Sequence, residues 1–162
     1  MIKIISLLLA ACSLQAFGAS EEAEDSLIPI NRTTTTDAWS AFKTGDYKKA
    51  IASAKECIER YQPSADGIQR SLEEKKVTLP LGPASTEEKE RIEQYQILHD
   101  VAKCLLITAW SEEKLGRKAN ATQYYQQLQK YTFARISDEG TNAFWSPAQR
   151  ASQELAGKAS NR

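Results

Sequence analysis

In several separate stretches between Trp39 and Leu155 apolar side chains return every third or fourth residue, a spacing that builds amphipathic helices rather than strands. Trp39 and Phe42 share one face of a helix expected to open near Thr36 as its N-cap. Gly45 breaks that helix and Asp46 caps the next. There Tyr47, Ala50, Ala54, Cys57, Ile58 and Tyr61 carry the stripe until Pro63, which is expected to end it. The result is a pair of antiparallel helices joined by a tight turn.

Further along, 66–76 reads as a short helix with Ile68 and Leu72 on one side. Val77 to Pro83 holds two prolines and a glycine, so this stretch is an extended connector. Its Leu side chains are expected to tuck onto the nearest helix, although the protein's own groove or another subunit would also accept them. Ser85-Thr86-Glu87-Glu88 is a capping box. From it an apolar stripe runs through Ile92, Leu98, Val101 and Leu105 to Gly116, read as one long helix. Another helix follows over 119–131. The stretch 132–142 reads as irregular, and Ser146-Pro147-Ala148-Gln149 opens a last helix with a second capping box and Pro at its first position.

The first residues look like an address rather than part of the fold. Lys3 is followed by an apolar run, 4–11, too short to span a bilayer. Ala16-Phe17-Gly18 suits ordinary signal-peptide cleavage, giving a leader over 1–18. Leu9-Ala10-Ala11-Cys12 instead resembles a bacterial lipobox, in which Cys12 carries a lipid tether. Either route implies export to the periplasm, with an outer-membrane lipoprotein or a secreted protein as alternatives. A polar linker is expected over 19–35, a helical domain over 36–157 and a polar tail over 158–162. No later segment has the ~18 consecutive apolar residues of a membrane span.

Export makes Cys57 and Cys104 a possible disulfide, since the compartment permits one. Two small buried core residues are the favoured reading. Charge is balanced, 21 basic residues against 21 acidic, which supplies no basic excess for nucleic acid.

Gly45-x-Tyr47-x-x-Ala50-x-x-x-Ala54, behind a helix holding Trp39, resembles the turn and second helix of a tetratricopeptide repeat. Gly116, Ala121, Tyr125 and Leu128, behind Ala109 and Trp110, resemble a second. The glycines stand 71 residues apart, near two periods of about 34. Lys118 departs from the pattern where the first unit has Tyr47, and no repeat is recognisable between the two. The ending Phe144 to Ala148 also resembles small exported bacterial repeat proteins.

The resemblance implies an all-α, short tetratricopeptide-like array, with the long helix and the C-terminal helix as caps. It implies binding of a protein or peptide on the concave face lined by the first helix of each unit, with no cofactor. Trp39 and Trp110 occupy equivalent places, six residues before their glycines. With Phe42 and Glu113 they are the expected contact residues; the competing expectation is that both tryptophans pack internally. Two other functions remain open. One is a self-associating structural subunit using the connector and the last helix. The other is a small-ligand binder (a sugar or cell-wall fragment) stacking on Trp110, Tyr124 or Trp145.

Catalysis finds little support in the residues. His99 beside Asp100 forms no relay, because neighbours on a helix point some 100° apart, and a surface histidine is expected. Glu87, Glu88, Glu90 and Glu93 read as a solvated face. There is no GxSxG, no phosphate-binding loop and no HExxH. No catalytic, metal or cofactor residue is assigned.

Overall fold

A computed structural model describes residues 27–138, 140–141 and 143–160. The leader, the Cys12 tether and the start of the linker lie outside the described residues. Among the described residues there are six helices: α1 (Leu27–Lys43), α2 (Tyr47–Glu74), α3 (Thr86–Glu93), α4 (Gln96–Lys114), α5 (Lys118–Leu128) and α6 (Pro147–Ser160). Three short strands join them: β1 (Gly82–Pro83), β2 (Ile136–Ser137) and β3 (Ala143–Trp145). The fold is an all-α helical repeat carrying a small sheet.

Two glycine turns organise it. Gly45 and Gly116 adopt φ of +81° and +76°, a left-handed conformation that costs other residues about 1–2 kcal/mol. At each turn the chain closes with the same bonds. Gly45 N–H donates to Phe42 O and Asp46 N–H to Ala41 O; Gly116 N–H donates to Glu113 O and Arg117 N–H to Glu112 O. Asp46 then caps α2 through the Lys49 N–H, as expected. Along the first hairpin Ala38, Ala41, Ala50 and Ala54 are buried, and these small residues let α1 and α2 approach closely.

Four expectations need correction. The helix holding Trp39 begins at Leu27, not Thr36, so part of the stretch read as linker is helical. The reason lies in Thr34 and Thr35, which turn inward; the Thr35 hydroxyl stands 3.6 Å from Cys57 Sγ and 3.5 Å from Cys104 Sγ. Secondly, Pro63 does not end α2, which runs unbroken to Glu74. Pro63 sits on the exposed side, and the carbonyl its ring deprives of a partner belongs to Glu59, itself exposed to solvent. Tyr61 and Ala65 on either side are buried and hold the helix against the core.

Thirdly, the long helix is two. The chain bends at Gln94 and Tyr95, letting Ile92 join Leu79 and Phe144 in a small satellite core while Leu98 enters the main one. Finally, the polar tail is helical as far as Ser160. There Lys158 lies 4.3 Å over the Tyr125 ring and pairs with Glu113, and α6 packs on α4 and α5 as the terminal cap.

The Ser85 capping box forms in full, and the Ser146 hydroxyl accepts the Gln149 N–H. The connector and the irregular stretch supply the sheet, ordered β1-β3-β2 and antiparallel throughout. Arg135 fastens it: its guanidinium donates to the carbonyls of Leu79, Pro80, Thr132 and Ala134. Leu79 is buried on the protein's own helices, whereas Leu81 is 46% exposed. Cys57 and Cys104 are free thiols in the core.

Candidate functional site

Three of the four expected contact residues meet. Trp39 and Phe42 stack one turn apart on α1, with ring centres 5.7 Å apart and planes 13° from parallel. Trp110 reaches them from α4, at 6.4 Å from Trp39 and 5.7 Å from Phe42. All three rings are half-buried, so they pack on one another and still present surface. That lies between the contact-surface and the internal-packing expectations. Lys103 and Lys43 hold their ammonium groups 5.2 and 5.7 Å over the Trp39 ring, close enough for cation–π attraction.

Glu113 is not among them. It accepts the Tyr125 hydroxyl at 3.0 Å and pairs with Lys158, so it ties α4 to α5 and α6. Burial, then the Glu113 charge, push the Tyr125 phenol well above its ordinary range and keep it a neutral donor.

Trp39 and Trp110 form one wall of a trough of about 280 Å³, floored by Leu106 and Ile107 of α4 and closed by Ile136 and Trp145. Ile136 and Trp145 are paired across β2 and β3, so their side chains rise from one face of the sheet. At Lys103, Ser137 and Asp138 the trough meets a second, polar cavity of about 340 Å³, bordered by Lys89, Glu93, Gln96, Asp100 and Thr141. Sequence reading found the aromatic wall through the equivalence of Trp39 and Trp110. It named Trp145 only as a stacking residue, and Tyr124 does not line the trough. Lys103 and β2 were missed, since a two-residue strand leaves no periodic signal.

His99 lies under the polar cavity and is not at the surface. Its Nε2 donates to the Ile92 carbonyl at 2.8 Å, which also accepts the Tyr95 N–H at 3.0 Å in the bend before α4. Its Nδ1 accepts the Arg135 N–H at 3.1 Å. A carbonyl only accepts, so the proton is fixed on Nε2. Burial lowers the pKa to about 4, partly opposed by the Ile92 carbonyl. Both ring nitrogens are engaged, which makes His99 a brace between α4 and the sheet. Asp100 accepts Gln96 Nε2 at 2.9 Å. Among the described residues no three His, Cys, Asp or Glu side chains cluster as metal ligands, and no helix is long and apolar enough to cross a membrane.

A family model for the tetratricopeptide repeat matches residues 38–64 and 103–131, the two hairpins turned by Gly45 and Gly116. No curated protein and no solved structure matches the chain.

Proposed function

From the two tetratricopeptide repeats this chain carries, units that serve protein interaction, we propose an exported scaffold that binds a partner protein through a peptide laid in the tryptophan-lined trough, without catalysis. One observation carries the reading: Trp39 and Trp110, from equivalent positions of two repeats, converge on one open groove and are not sealed into the core. Half-exposed tryptophans beside a cation are what interface anchors are made of. Export rests on Lys3 and the apolar run 4–11.

Random peptides displayed on phage, panned over the protein, test the trough. Sequences enriched on the native protein and lost on the Trp39→Ala/Trp110→Ala double variant support it, provided helical circular dichroism is retained. Equal enrichment on both proteins places the binding elsewhere. No enrichment above background removes the peptide reading. Export is checked separately: the intact mass of the periplasmic protein should lack 1–18 or show lipid on Cys12, and an uncleaved cytoplasmic product would end that proposal.

A further inference from the structure

The edge of the small sheet decides how a peptide would lie in this trough. In an antiparallel ladder, successive residues direct their N–H and C=O groups alternately toward and away from the partner strand. Asp138 N–H donates to Ala143 O at 2.9 Å, and Ile136 pairs with Trp145. Both therefore spend their backbone groups on β3, and Ser137 between them turns its N–H and C=O outward. The outward direction is known from the chain just before the strand, where Arg135 N–H reaches His99 of α4. Ser137 is exposed, and it borders both cavities. Its amide and carbonyl thus face the gap between β2 and α4, where trough and polar cavity join.

We propose that the occupant is an extended segment of a partner protein that pairs with β2 as a fourth strand, exchanging backbone hydrogen bonds with Ser137. This rests on the trough reading above and adds the binding mode. Added strands draw affinity from main-chain bonds and specificity from alternate side chains. Here one side chain would continue the Ile136–Trp145 row toward Trp39 and Trp110, so it must be large and apolar. Lys103 and Asp138 flank the junction, and neither forms an ion pair among the described residues. One cation and one anion there match the C=O and N–H of a peptide backbone and call for no net charge.

Amide hydrogen exchange on the free protein is the first test. The Ser137 amide should exchange at least about tenfold faster than that of Asp138, which is bonded to β3. Equal protection of the two would mean the edge is already paired and would overturn the proposal. The second test uses a synthetic peptide enriched in the panning above. Ser137→Pro removes the outward N–H, along with the serine hydroxyl, at a position where a strand tolerates proline, and Ser137→Ala serves as the control for the hydroxyl. It should weaken binding about tenfold, the loss expected from one main-chain bond. Unchanged affinity for Ser137→Pro, with loss for Trp39→Ala/Trp110→Ala, keeps the trough and refutes the strand pairing; unchanged affinity for both variants refutes the two together. Should proline disturb the sheet, N-methylation of each peptide amide in turn replaces it. Losses at alternate positions support pairing, and uniform losses or none refute it.

Discussion

The two glycine hairpins turn by the same backbone bonds and yet carry different burdens. Helix α4, the first arm of the second hairpin, is packed on several sides, by α1, α2, α5 and α6. Val101, Ala102, Cys104, Leu105, Ile107 and Ala109 are all fully buried along it. By contrast α1 packs on α2 and α4 and leaves Thr36, Asp37, Ser40 and Lys43 in water. The open side of α1 is the reason a trough exists, since among the described residues α1 packs mainly on α2 and α4. A repeat unit at the end of a stack offers surface, and one in the middle supplies core.

That contrast breaks most easily in the middle of α4. Leu105→Ala should destabilise by about 4 kcal/mol in urea unfolding, because a fully buried leucine leaves a cavity its neighbours cannot refill. An equal loss from Trp39→Ala would mean the open side of α1 is core after all. Next in size is an acid effect that originates at His99 of α4. His99 is held neutral to about pH 4 in the folded chain and protonates near 6.5 once unfolded. Between those values the unfolded state binds the extra proton, so stability is full above pH 6.5 and falls as the pH drops. The loss approaches roughly 3 kcal/mol at pH 4, and His99→Gln should flatten that slope in denaturation measured across the window.

The turns themselves should behave alike. Nothing stands within 4 Å of a Cβ added at Gly45 or Gly116, so Gly→Ala meets only backbone strain. About 1.5 kcal/mol is expected at each, by thermal melts, and a difference above about 1 kcal/mol would show that the turns are not equivalent. The smallest effect separates them again. Asp46→Ala removes a side-chain cap and should cost about 1 kcal/mol, while Arg117, whose side chain makes no cap, should cost less on the same change.

What the residues announced were local devices. The glycine turns, the Asp46 cap, the Ser85 box and the pairing of Trp39 with Trp110 each depend on neighbours in sequence or on a repeat period. What escaped depends on residues far apart. Pro63 is harmless because it faces solvent while Tyr61 and Ala65 bind the core on either side. The bend at Tyr95 exists because Ile92 finds Leu79 and Phe144 from two other segments. Burial of His99 needs the Arg135 amide, 36 residues on. Glu113 was placed in the groove by its spacing from Trp110, but Tyr125 and Lys158 claim it from helices that spacing does not register.

The unbroken α2 also changes what kind of array this is. Beyond Pro63 its Asp66 accepts the Tyr131 hydroxyl at 2.7 Å, and Gln69 bonds Thr132 and the Phe133 N–H, just past the end of the second hairpin. A beam from the first unit is thus bolted to the exit of the second. Such a molecule cannot be lengthened by splicing in another hairpin, as open-ended solenoids can. It should melt in one step, as a closed pair of fixed size.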